Sequence, residues 1–217
     1  MWRNAGLSIT LFGLFLISLV GQSLTGWLEA NERRAQHHQQ RIELRDYLRS
    51  GDFVETTMEN WESEFLQMFA YVLLTAFLYQ RGSSESKSPD EPEAVDRDPQ
   101  GSARPDAPAW VRAGGWRLKI YQYSLSLAFL TLFSLSFALH ALGGAQQLTE
   151  ERALHGQAPV SVAEYLATSR FWFESFQNWQ SEFLAIGSMV VLSIWLRQRG
   201  SPESKPVDSP HSQTGSR

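Results

Sequence analysis

The chain has 217 residues, with 19 Lys and Arg against 23 Asp and Glu, and its formal net charge of -4 offers no basic footprint for nucleic acid. It contains no cysteine, which excludes disulfides, thiolate metal sites and thiol nucleophiles. Mean hydropathy is slightly negative, but the average hides apolar blocks alternating with polar ones, and 8 Trp with 13 Phe suit a protein at membrane–water interfaces.

The first apolar block runs from Leu7 to Leu28 without a charge. At about 1.5 Å of rise per residue it covers the roughly 30 Å of a bilayer core. Arg3 in front of it suggests a cleaved signal peptide as the rival reading. The block is long for that, lacks a small-x-small cleavage site, and has a mid-chain counterpart from Leu125 to Leu142, so a span is expected. The second block, Phe65 to Tyr79, and the fourth, Phe183 to Leu196, are short. Extended back to Trp61 and Trp179, each reaches about 18–20 residues, enough to cross. Between the second and third blocks, residues 83–113 are rich in Ser, Pro, Asp and Glu and poor in large apolar side chains, as in a flexible linker. The tail 201–217 has the same character.

An internal repeat joins these blocks into two pairs. Asn60-Trp61-Glu62-Ser63-Glu64-Phe65-Leu66 recurs as Asn178-Trp179-Gln180-Ser181-Glu182-Phe183-Leu184, an offset of 118. The same offset pairs Tyr47-Leu48 with Tyr165-Leu166 and Arg81-Gly82-Ser83 with Arg199-Gly200-Ser201. Over 47–87 against 165–205, 19 of 41 positions are identical. Each copy carries two spans, so both enter the membrane the same way round, as parallel repeats about an axis along the membrane normal. The expected fold is an all-α membrane protein of four transmembrane helices, made of two tandem parallel helix-pair repeats, each with an outer loop containing a short helix. The divisions are 1–82 and 114–200 for the repeats, with 83–113 as linker and 201–217 as tail.

Lys and Arg number 12 on the side of the termini and linker, from Arg3 through Arg217, and seven in the two loops. The positive-inside rule puts both termini and the linker in the cytoplasm of a bacterial inner-membrane protein. Trp27, Trp61 and Trp179 are then interfacial anchors at the outer surface. In the second loop Ser161 and Glu164 have capping-box spacing and open a short helix. Phe171, Trp172, Phe173 and Phe176 form an amphipathic lead-in to the fourth span.

Asn60, Glu64, Gln67, Tyr71 and Thr75 fall on one face of the second helix. Asn178, Glu182 and Ser193 form a shorter stripe in the fourth. Depths counted from the block ends pair Gln22 with Glu64, and His140 with Glu182, since a carboxylate in a span faces the bundle interior and finds a partner. This intramembrane polar cluster of Gln22, Asn60, Glu64, Gln67, His140, Asn178 and Glu182 has two readings. One is structural, tying helices together. The other is a proton or cation site on Glu64 and Glu182, with His140 as a titratable neighbour. Ala185 and Met189 stand opposite Gln67 and Tyr71, which weighs against a continuous polar path. No catalytic motif occurs, and the adjacent His37-His38 makes a poor metal clamp, so no catalytic residue, metal or cofactor is expected.

The residues Gly6-Leu7-Ser8, Gly21-Gln22, Thr25-Gly26-Trp27, Tyr47-Leu48, Ser50-Gly51, Phe53, Asn60 to Met68 and Gln80 to Lys87 form a pattern that extends over nearly the whole chain. It resembles a family of uncharacterised bacterial multi-pass membrane proteins, a domain of unknown function. The second copy departs from the pattern, with Gln180 for Glu62, His140 for Gln22 and Ala145 for Trp27, so the halves are not equivalent. The resemblance implies a bacterial membrane protein and supplies no activity. The expected role is a non-enzymatic structural or interaction component in the lipid bilayer, with a second copy or a membrane protein as partner and no nucleic acid. A small proton or cation conduit using Glu64 and Glu182 is the alternative.

Overall fold

The computed structural model describes residues 2–100 and 104–215. Residues 101–103 of the expected linker, the tail end with Arg217, and the side chain of Arg3 lie outside the described residues. The described chain is all helical, with no strand. Its α-helices are α1 (Trp2–Gln36), α2 (Leu44–Tyr47), α3 (Gly51–Thr75), α4 (Ala109–Ala113), α5 (Gly115–Gln122), α6 (Ser124–Leu154), α7 (Val162–Leu166) and α8 (Ser169–Leu192). Two of them, α1 and α6, are long and apolar enough to cross a membrane. The chain divides into two compact units, residues 1–59 with 137–172, and residues 60–136 with 173–217.

Helix limits differ from those read off hydropathy. α3 begins at Gly51, ten residues before Trp61, and α8 begins at Ser169, ten before Trp179. Hydropathy stops at the charges of these first turns, whereas the helix continues because those polar side chains find partners. At the other end both helices stop early, at Thr75 and Leu192. There the bonding tightens to i→i+3, with Phe77 N–H donating to Leu74 O at 3.0 Å and Trp195 N–H to Leu192 O at 3.1 Å. The expected linker has local order at both ends. A 3-10 turn covers Ala94–Asp96, Lys87 pairs with Asp96, and α4 opens at Ala109.

In the first unit, contacts recur at the offset of 118. Asn31 brackets the backbone of Ile42, its Oδ1 accepting from Ile42 N–H at 2.8 Å and its Nδ2 donating to Ile42 O at 3.1 Å. The Thr149 hydroxyl does the same to Val160, accepting from N–H at 3.0 Å and donating to C=O at 3.3 Å. Gly26 lies against Tyr47 and Gly144 against Tyr165, each so close that a Cβ would fall 2.2 and 2.3 Å from the phenol oxygen. Tyr47 meets Phe53 edge-on at 5.6 Å, and Tyr165 meets Phe171 at 5.6 Å. The first unit's core gathers Ala141, Ala145, Val160, Tyr165 and Phe171. Phe171 is thus fully buried instead of lying in the interfacial run, while Phe173 and Phe176 are exposed. α7 opens as its spacing implied. Ser161 Oγ accepts from Glu164 N–H and the Glu164 carboxylate from Ser161 N–H, bonds that hold the Glu164 carboxyl below its usual range.

One pair of contacts recurs with its charges reversed. Arg33 on α1 binds Asp52 on α3, and at the same offset Glu151 on α6 binds Arg170 on α8 at 2.9 Å. The Arg33 side chain is about half exposed, so solvent screens the pair and it contributes little stability. Arg33→Glu alone is expected to cost about 1 kcal/mol through like-charge contact, and Arg33→Glu with Asp52→Arg to recover most of that. Unfolding in detergent across the four-variant cycle measures the coupling.

In the second unit the two Gln-Arg-Gly-Ser-x-Glu-Ser-Lys exits fold alike. Ser86 Oγ accepts from Gln80 N–H at 2.9 Å, and Ser204 Oγ from Gln198 N–H at 2.9 Å. Gly82 and Gly200 take φ of 87° and 85°, the left-handed region open to glycine. The terminal lysines then diverge. Lys87 pairs with Asp96, while Lys205 is buried among carbonyl oxygens of Gly82 (2.5 Å), His211 (3.0 Å) and Gln213 (2.9 Å). Burial, with a smaller push from Arg197, pulls the Lys205 ammonium below its usual range. The tail, expected to be free, is held there. Thr214 Oγ1 accepts from Gly82 N–H at 2.9 Å, and Gly215 N–H donates to Ser83 O at 2.9 Å.

Candidate functional site

The polar residues singled out in the sequence divide between the two units. Gln22 and His140 belong to the first; Asn60, Glu64, Gln67, Asn178 and Glu182 belong to the second. The pairings of Gln22 with Glu64 and of His140 with Glu182 therefore join residues of different units. Gln22 Nε2 donates instead to Thr57 Oγ1 at 3.1 Å. Thr57 is buried and lies two turns before Glu64 on the same face of α3, while Glu64 itself is exposed. Depth counted from the ends of the apolar blocks misplaces the level, because both helices run beyond those blocks.

His140 is fully buried. Its ring stacks on Phe171 at 4.7 Å and 30°, and a ring nitrogen lies within 4.8 Å of a Glu59 carboxylate oxygen. Nearby in the first unit is a network that the sequence reading did not find. Glu55, 5% exposed, accepts from the Tyr165 hydroxyl at 2.7 Å and from the Arg170 guanidinium at 3.3 Å. Arg170 also holds Glu151. A buried carboxylate is tolerated here because a phenol and a guanidinium both donate to it. Glu55, Glu59 and Glu62 are spaced by four and three residues, so they share a face of α3, and that spacing was the available clue.

In the second unit, Gln67 is buried and its amide donates to the backbone oxygen of Glu182 at 3.2 Å, tying α3 to α8. Glu64 and Glu182 stand at matching positions of the two halves. Asn178 turns inward along its own helix and donates to Glu174 O at 3.1 Å. Glu62, fully buried, accepts from the Trp179 indole N–H at 3.0 Å. Trp27 likewise donates to Ile42 O at 2.9 Å, and Trp61 meets Phe65 edge-on at 6.4 Å. The indole N–H groups of Trp27 and Trp179 thus bond within the protein. Further along α3 the Tyr71 hydroxyl donates to Glu85 at 2.5 Å, so the α3 stripe ends on the exit segment.

Chemically, these contacts bind helices to one another. The family model for a domain of unknown function, DUF6766, matches residues 1–216. The chain belongs to that family. No curated protein and no solved structure matches it. The membership agrees with the resemblance carried by the Asn60 to Met68 and Gln80 to Lys87 segments, and it assigns no activity.

Proposed function

We propose that this chain is a multi-pass protein of a bacterial inner membrane, with four spans in two tandem helix pairs, acting as a non-enzymatic structural or interaction component. The observation that carries the reading is the apolar surface of α1, where Leu7, Phe12 and Ile17 are 74%, 68% and 71% exposed. A soluble protein rarely leaves so continuous an apolar helix in water, whereas a bilayer accepts it at no cost. α6 has the same character, with Leu125, Leu135 and Leu142 exposed. α3 and α8, of 25 and 24 residues, reach about 36 Å, enough to cross beside them. The matched contacts at the offset of 118 support a tandem architecture. The termini and linker lie in the cytoplasm in this reading, on the side richer in Lys and Arg. The polar side chains favour a structural role, since Gln22, Gln67 and Glu62 each have an internal partner.

The recurrence of a carboxylate at Glu64 and Glu182 within two apolar helices favours one second reading, a proton or cation conduit. Proton and cation flux in liposomes, comparing the full chain with Glu64→Gln/Glu182→Gln, separates the two. The structural reading expects no flux from either protein and a constant crosslinked partner in cells. Flux that the double variant abolishes while remaining folded would replace it with the conduit.

A further inference from the structure

The first unit contains a cavity of about 470 Å³ that the polar cluster does not use. It is an open cleft lined by the end of α1, the last turns of α6, and the segment running from Gln39 through Asp52. Its wall is electrically divided. Arg33 and Arg34 come from the end of α1 and His37 from the turn after it, while Glu150 and Glu151 come from α6. Two of these charges are already engaged, Arg33 by Asp52 and Glu151 by Arg170. Arg34 donates only through Nε, to Gln40 O at 2.7 Å, which leaves its terminal nitrogens to the cavity. Glu150 accepts at one oxygen, from Gln146 at 3.1 Å, and offers the other. Apolar Ala30, Ile42 and Leu154 complete the lining.

The cavity's level follows from helix geometry. Arg33 and Arg34 come five and six residues after Leu28, the last residue of the uncharged block. At about 1.5 Å per residue they stand roughly 8 Å beyond the hydrocarbon edge, the depth of the headgroup layer. A ligand filling this wall needs an anionic group for the Arg34 side and a hydrogen-bonding cation for the Glu150 side.

We propose that this cavity binds a phosphoethanolamine zwitterion, with its phosphate toward Arg34 and its ammonium toward Glu150. Arg34 recognises phosphate through its planar fork, and a primary ammonium brings the donors that Glu150 accepts. A choline group carries the same charge without N–H donors, and a glycerol headgroup has no cation, so both fit the divided wall less well. The headgroup-layer position rests on the membrane reading above; the divided wall does not.

Native mass spectrometry of the purified full chain tests it. Phosphatidylethanolamine, phosphatidylcholine and phosphatidylglycerol are added one at a time, and soluble O-phosphoethanolamine serves as competitor. The expected result is about tenfold stronger retention of phosphatidylethanolamine, the scale of one or two charge-assisted hydrogen bonds. Arg34→Gln and Glu150→Gln each remove that preference with helix content unchanged, Arg34→Lys restores part of it, and Arg81→Gln, whose parent guanidinium pairs with Asp90, leaves it intact. Competition by soluble O-phosphoethanolamine at equal concentration assigns the site to the free zwitterion; resistance to it assigns the site to the lipid. Equal retention of the three lipids with no binding of the soluble probe overturns the proposal, as does an unchanged preference in both variants. Failure of the membrane reading shows separately, as release of the protein from membranes by alkaline wash.

Discussion

Gly143→Leu is expected to prevent folding, and Gly143→Ala to destabilise by about 1–3 kcal/mol, the range of overpacking in a closed core. At this point α6 passes α3 backbone to backbone. A Cβ on Gly143 would lie 2.6 Å from the backbone nitrogen of Glu55 and 3.0 Å from Gly51 O. The reciprocal Cβ on Gly51 would lie 2.6 Å from Gly143 O and 2.7 Å from Gln147 N. Backbone atoms cannot swing aside as a side chain can, so relief requires the helices to separate. Small residues at such crossings are how helices approach closely where no hydrophobic force drives them together. Gly13→Leu is the control, because no atom stands within 4 Å of its Cβ position. Accumulation in membranes and unfolding in an SDS titration read the difference. Wild-type stability in Gly143→Leu would mean that this crossing does not form.

The second large effect is expected at Glu55. Its carboxylate is buried and receives both the Tyr165 hydroxyl and the Arg170 guanidinium. Glu55→Ala removes the acceptor of the buried Tyr165 hydroxyl and one carboxylate from Arg170, which still holds Glu151. Breaking a buried charge pair costs about 3–5 kcal/mol, and the lower end applies here because Arg170 keeps Glu151 and part of its exposure. Tyr165→Phe removes one hydrogen bond to a charged group, worth about 1.5–3 kcal/mol. The two losses overlap, so Glu55→Ala with Tyr165→Phe is expected to cost less than their sum. Additive losses in the cycle would mean that the hydroxyl does not act on Glu55.

Local chemistry made part of this fold legible in the sequence. The uncharged runs at Leu7 and Leu125 mark the two most apolar helices, and the Ser161-to-Glu164 spacing marks the start of α7. The common offset of Tyr47 with Tyr165, and of Ser86 with Ser204, anticipated contacts that recur in matching places. The first turns of α3 and α8 were not legible, because hydropathy counts Glu55 and Arg170 as breaks although each neutralises the other inside the fold. Their partnership spans 115 residues, and no local spacing encodes it. Gln22 failed for another reason. Its acceptor, Thr57, is an ordinary residue whose hydroxyl matters only through the register of α1 against α3. The fate of the tail was equally hidden, since the matching Lys87 and Lys205 motifs end on an aspartate in one copy and on carbonyl oxygens in the other.

The chain has no native cysteine, so cysteine accessibility tests the four-span reading most directly. Single cysteines at Gln40, Ala158, Asp98 and Asp208 sample the two loops, the linker and the tail in turn. An impermeant maleimide applied to intact cells is expected to label the first two, and to label the last two only after the membrane is opened. Labelling of Gln40→Cys and Ala158→Cys on opposite sides, or of Asp98→Cys from outside, would contradict two parallel helix pairs.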